Sequence, residues 1–146
     1  ALNEYIRLLE LRPERLTQTG LIIIDIDDFK IVNDRLGHII GDQVIKFVAD
    51  TLKEHLTSSE LVVRYGGDEF LIIIDNTNFK DALILAENIR QSIGRSDCYI
   101  KELNEFVGIS VSAGVAVGAV SWMALLERAD KSLLKVKTQG KNAVLG

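Results

Sequence analysis

The apolar run Leu21-Ile22-Ile23-Ile24 passes without a polar break into Asp25-Ile26-Asp27-Asp28-Phe29-Lys30. An uninterrupted run of this kind belongs to a strand buried on both faces, which makes residues 20–26 the natural centre of a sheet. Acids are expensive where such a strand ends. Carboxylates there face desolvation and mutual repulsion unless a cation neutralises them, which favours a metal site over chance clustering.

A second acidic cluster follows 40 residues later. Arg64-Tyr65-Gly66-Gly67-Asp68-Glu69-Phe70 stands between the apolar runs Leu61-Val62-Val63 and Phe70-Leu71-Ile72-Ile73-Ile74. This is a hairpin with carboxylates at its tip. Paired glycines permit positive φ in a tight turn, and they leave room for a large anionic ligand to approach the backbone. Acids beside such a ligand need a cation between them, and magnesium, which prefers carboxylate and phosphate oxygens, suits Asp68 and a nucleotide phosphate. The plainer alternative is a simple turn with two solvated acids. If the 20–26 strand lies beside the 61–75 hairpin, Asp25 and Asp68 converge and the metal reading gains.

At 146 residues, 47% hydrophobic and 26% charged, the sequence fits one domain with a sizeable core. The lone Cys98 excludes an internal disulfide, and no segment reads as a signal peptide or a membrane span. The expected location is cytoplasmic, with an upstream region free to tether a longer chain to a membrane. A net charge of −4 argues against a nonspecific nucleic-acid binder. Small nucleotides need only a local basic cluster.

Around the two acidic motifs, periodicity predicts a leading helix within residues 1–12, a helix through Phe29, Val32 and Leu36, and another after Asp42 through Val44, Val48 and Leu52. A helix from Phe79 to about Gly94 follows the hairpin. A strand over 107–117, a helix over Trp122–Lys137 and a short strand at Ala143-Val144-Leu145 complete the order βααββαβαβ. The expected fold is α+β, one mixed sheet with helices packed against it.

These motifs together resemble the catalytic domain of the GGDEF family of diguanylate cyclases. The resemblance rests on Gly66-Gly67-Asp68-Glu69-Phe70, Asp25-Ile26-Asp27-Asp28-Phe29-Lys30, Asn33-Asp34, Gly37-His38 with Gly41-Asp42, Val111 to Ala116, and Ala129-Asp130 through Lys137 to Gly140-Lys141-Asn142. It implies a fold similar to nucleotide cyclases and polymerase palms, and the joining of two GTP molecules into cyclic di-GMP with release of two pyrophosphates across a homodimer.

It further implies that Asp25, Asp68 and the carbonyl of Ile26 hold two Mg²⁺ ions, with Mn²⁺ as a possible substitute, and that Glu69 supports the metals or the reacting hydroxyl. Asp68 is the expected general base, with loss of the proton to water as the alternative. Asn33 and Asp42 would read guanine, with His38 near the substrate, since a carboxylate accepts from N1 and N2 and an amide pairs with ring nitrogen and amine. Asp42 also suits a helix N-cap and His38 a backbone bond. Lys137 and Lys141 match the pair that grips the β and γ phosphates, Lys30 lies near phosphate, and Gly66 and Gly67 leave space for substrate. The position of Lys141 is usually Arg in the family, so the charge stays and the bidentate fork is lost.

Two departures stand out. Thr57-Ser58-Ser59-Glu60 replaces the Arg-x-x-Asp site through which product inhibits many members, so feedback through that site is expected to be absent. Glu4 stands where Arg is common in the leading motif, and Leu134 replaces a frequent tyrosine. An upstream sensory module is the expected regulator. The rival reading is a catalytically weak or inactive GTP-binding module. A small GTPase is ruled out, because no Gly-x-x-x-x-Gly-Lys-Ser/Thr loop exists.

Overall fold

Every residue from Gly20 to Ile26 is buried, and the architecture is arranged around that strand. The structure, a computed structural model, describes residues 2–146. Helices α1 (Leu2–Glu10) and α2 (Pro13–Leu16) lead into β1 (Gly20–Ile26), which is followed by α3 (Phe29–Leu36) and α4 (His38–His55). The hairpin β2 (Glu60–Arg64) and β3 (Glu69–Ile74) comes next, then α5 (Phe79–Arg95) and a small hairpin β4 (Cys98–Ile100) and β5 (Glu105–Val107). Strand β6 (Val111–Val117), helix α6 (Trp122–Thr138) and β7 (Val144–Leu145) finish the chain.

The main sheet runs β2-β3-β1-β6-β7. Strand β1 is antiparallel to both neighbours, β3 and β6, and only β7 lies parallel, against β6. This is the expected α+β class, a mixed sheet flanked by helices. Alternation along β1 divides the core in two. Ile22, Ile24 and Ile26 join Val44, Val48 and Leu52 of α4 and Ala86, Ile89 and Ile93 of α5 on one face. Leu21 and Ile23, with Leu71 and Ile73 of β3, meet Leu9, Leu16 and the α6 residues Leu125, Ala129 and Leu133 on the other. Burying each such side chain contributes about 1.5–3 kcal/mol, so β1 is the strand least able to tolerate a polar substitution.

Helix α6 lies unusually close to β6. A Cβ added at Gly114 would stand 2.0 Å from the carbonyl oxygen of Ala129 and 2.5 Å from the amide of Leu133, so only glycine admits the helix at this distance. The helix starts cleanly, because Ser121 Oγ accepts from the amide of Ala124 at 3.1 Å. Asn78 caps α5 in the same way, accepting from Asp81 at 2.8 Å.

The structure departs from the sequence pattern at three places. The segment 107–117 is not one strand: Val107 closes the β4–β5 hairpin, the chain breaks over Gly108–Ser110, and β6 begins at Val111. Asp42 does not open its helix, since α4 begins at His38, behind Gly37 at φ 90°. Positive φ is also absent from Gly66 and Gly67, whose turn is closed instead by the Tyr65 amide on the Glu69 carbonyl at 2.9 Å and by Arg64 Nη2 on the Gly67 carbonyl at 2.7 Å. The leading helix matches α1 over Leu2–Glu10, with Ala1 outside the described residues, and Glu4 pairs on its surface with Arg7 at 2.7 Å. Among the described residues, no helix is long and apolar enough to cross a membrane.

Candidate active site

Asp25 is the last residue but one of β1, and its backbone partners are Glu69 on β3 and Ser112 on β6. The amide of Ile26 donates to the carbonyl of Asp68 at 3.1 Å, which fastens the tip of the β2–β3 hairpin to the end of the central strand. The two acidic motifs therefore meet. Asp25, Ile26 and Asp68 line one open cavity together with Asp28, Lys30, Lys137 and Lys141.

Electrostatics in this cavity are set by burial. Asp25 is only 6% exposed, and burial first, then the neighbouring Asp68 carboxylate, push its carboxyl up to about 6 against the opposing pull of Lys137. Lys137 of α6 forms an ion pair with Asp25. Burial works against the Lys137 ammonium, yet the bond to Asp25 and the nearby Glu69 and Asp68 outweigh it and hold its pKa above the ordinary lysine value. Lys141 Nζ bonds Asp28 Oδ1 at 2.5 Å, which raises its pKa as well. The cavity thus pairs the carboxylates of Asp25 and Asp28 with the ammonium groups of Lys137 and Lys141.

The donor set suits a hard divalent cation. The carboxylates of Asp25 and Asp68 line the cavity with Ile26 at the strand end, and the buried Asp25 already attracts an ammonium; magnesium prefers such oxygen ligands and needs few from protein. Among the described residues no group of three or more His, Cys, Asp or Glu side chains is gathered as a metal cage.

Other sequence candidates lie outside this cavity. Glu69 opens into a neighbouring cleft with Tyr65, Glu127 and Asp130, where burial, then Asp68 and Asp130, raise its pKa against Lys137. Asn33, half-buried, sets its amide against Gly41, one residue before the exposed Asp42; a Cβ on Gly41 would stand 2.3 Å from Asn33 Oδ1. This brings Asn33 and Asp42 to the same α3–α4 corner, with His38 exposed at the start of α4. Above Gly67 a Cβ would meet nothing, and above Gly66 only Glu69, at 3.3 Å or more, so the turn leaves open space at its tip.

Asp27 and Asp28 stand with Asp25 as one acidic cluster in the sequence, and the structure separates their tasks. Asp27 accepts from Ser110 Oγ at 2.7 Å, from Ser112 Oγ at 2.6 Å and from the amide of Asn142 at 3.1 Å. It is a tie between strands rather than a partner of Asp68. Asp28 turns the corner into α3 with a left-handed φ of 57° and receives Lys141. Its position one residue before the helix was the available signal.

With this geometry in place, the comparisons are specific. The family model described as "Diguanylate cyclase, GGDEF domain" matches residues 2–143, and the chain belongs to that family. Response regulator PleD of Caulobacter vibrioides is 39% identical over 128 residues, covering 86% of this chain and 28% of PleD. Diguanylate cyclase A of Treponema denticola is 34% identical over 145 residues, covering 98% of this chain and 39% of that protein. The chain therefore spans well under half the length of these curated relatives. Among solved structures, the GGDEF domain of DgcB from Caulobacter crescentus, in complex with c-di-GMP, superposes with a TM-score of 0.89 at 33% identity, covering 97% of this chain and 85% of that one. Diguanylate cyclase SiaD from Pseudomonas aeruginosa, in complex with its activator SiaC, gives 0.87 at 31% identity, covering 99% of this chain and 56% of SiaD.

Proposed function

We propose that this domain is a working diguanylate cyclase that condenses two GTP into cyclic di-GMP, with a second copy of the domain presenting the second GTP. The observation that carries the reading is the meeting of Asp25 and Asp68 in one cavity that also holds Lys137 and Lys141. Asp25, Asp68 and the Ile26 carbonyl would hold magnesium, which when bound lowers the pKa of a ribose 3′-hydroxyl and offsets triphosphate charge. Lys137 and Lys141 approach from α6 and the loop after it, placing positive charge where the β and γ phosphates leave as pyrophosphate. Asp68 accepts the 3′-hydroxyl proton as the oxygen bonds the α-phosphorus of the facing GTP and the bond to the bridging oxygen breaks. Asn33 and Asp42, brought together at Gly41, offer an amide and a carboxylate to the guanine edge.

The test is direct. The domain, fused to a dimerising segment, is incubated with GTP and Mg²⁺ and the products are resolved by mass spectrometry. Cyclic di-GMP is expected from the wild type, with a loss of at least about a hundredfold in Asp68→Asn. GTP binding without product in the forced dimer would instead establish a noncatalytic nucleotide-binding module.

A further inference from the structure

Gly140, Lys141 and Asn142 stand in sequence at φ 114°, 63° and 47°, three consecutive left-handed residues just past α6. Glycine suits this conformation and asparagine tolerates it, but lysine adopts it only when its surroundings hold it there. The amide of Lys141 returns to the carbonyl of Val136 at 2.9 Å, closing the helix end. That bond sets the start of the loop and leaves its far side to other groups.

Those groups come from elsewhere in the fold. The Asn142 amide is shared between Asp27 Oδ2 and Ser112 Oγ, each at 3.1 Å. From α5, Arg90 Nη1 reaches the Asn142 side-chain oxygen at 2.9 Å and touches its carbonyl at 3.5 Å. Arg90 is itself aimed by Glu87, which accepts from its Nε at 2.9 Å and pairs with its Nη2. Arg90 does not line the substrate cavity, yet it holds the residue next to Lys141.

We propose that the Glu87–Arg90 pair positions Lys141, acting through Asn142 to keep the ammonium over the phosphate end of the cavity. The inference rests on Lys141 as a triphosphate contact in the function proposed above. A guanidinium fork that donates to a carboxylate on its own helix and to an amide oxygen on another segment fixes direction as well as distance. Arg90 is thus a positioning residue for nucleotide binding, contributed by a helix on the opposite side of the sheet from α6.

Calorimetric titration with a non-hydrolysable GTP analogue and Mg²⁺ tests this without turnover, using Arg90→Met to keep the aliphatic stem and Lys141→Ala to remove the ammonium. Arg90→Met is expected to weaken the analogue about fivefold, the factor made by a net hydrogen-bond contribution of about 1 kcal/mol. In a Lys141→Ala background the same change is expected to cost nothing further, because its effect passes through that lysine. A full fivefold loss in both backgrounds would make Arg90 a general stabiliser and overturn the proposal. So would an unaltered affinity in Arg90→Met while Lys141→Ala weakens binding. If Lys141→Ala itself binds as wild type, Lys141 is no phosphate contact, and that part of the functional reading falls together with this inference. Glu87→Ala, which releases Arg90 from its own helix, gives the same comparison should Arg90→Met fail to fold.

Discussion

Gly114→Ala is the perturbation whose cost the structure specifies most closely. The new methyl carbon would lie 2.0 Å from the Ala129 carbonyl oxygen and 2.5 Å from the Leu133 amide, both backbone atoms of α6, with Leu133 Cβ at 3.0 Å. No side-chain rotation relieves a clash with backbone, so the helix must retreat by more than an ångström to regain ordinary contact. Ala129 and Leu133 are buried against Leu21, Ile23 and Leu71, and retreat opens that seam. Over-packing of a tight core costs about 1–3 kcal/mol, and a clash with main chain belongs at the top of that range. At about 3 kcal/mol, the melting temperature falls by roughly 6–12 °C. Urea denaturation followed by circular dichroism measures this, with the midpoint lowered and the slope unchanged. Because α6 carries Lys137, GTP binding should weaken as well. A loss below about 0.5 kcal/mol, within the range of an inconsequential surface change, would refute the claim that Gly114 sets the helix–sheet distance.

Two further outcomes are expected. Arg90 holds the Glu87 carboxylate below its usual range, with burial as the smaller opposing influence; a depressed folded pKa means that the pair's stabilisation is present above the unfolded carboxylate pKa and lost as pH falls through the folded one. The half-exposed pair contributes about 0.5 kcal/mol, so the stability gap between wild type and Glu87→Gln in urea melts should be present at pH 7 and shrink as the pH is taken down through the folded carboxylate's pKa. Cyclic di-GMP added in excess over enzyme should leave the initial rate unchanged, since the Thr57 amide and hydroxyl engage Glu60 Oε2 at 2.8 Å and 2.6 Å where an Arg-x-x-Asp motif would stand; strong inhibition in a steady-state assay would place a product site elsewhere on the domain.

The central strand was legible because four apolar residues without alternation admit few alternatives, and the acids at its end were legible because burial makes them costly. What sequence could not convey was which neighbours each acid meets. Asp27 looks like Asp25 in the chain, but its partners Ser110, Ser112 and Asn142 are separated from it by 83 to 115 residues. The break at Gly108–Ser110 was hidden because Val107 and Val111 continue one apolar pattern across it. The glycine pair marks the turn in the sequence but not its conformation: a turn closed by Arg64 and the Glu69 carbonyl needs no left-handed residue. His38 extends α4 by a turn ahead of the capping signal at Asp42, since Gly37 already turns the chain there.

The placement of β1 between β3 and β6 also bears on how the molecule comes into being. Gly20 finds its partners at Ile74 and Val117, so the middle of the sheet waits on chain made far later. Topologies dominated by such distant pairings acquire structure slowly. A nascent chain emerging from the ribosome carries its stickiest segment, Leu21 to Ile24, uncovered until β6 and α6 have been synthesised, and that interval is when a chaperone would have its greatest effect.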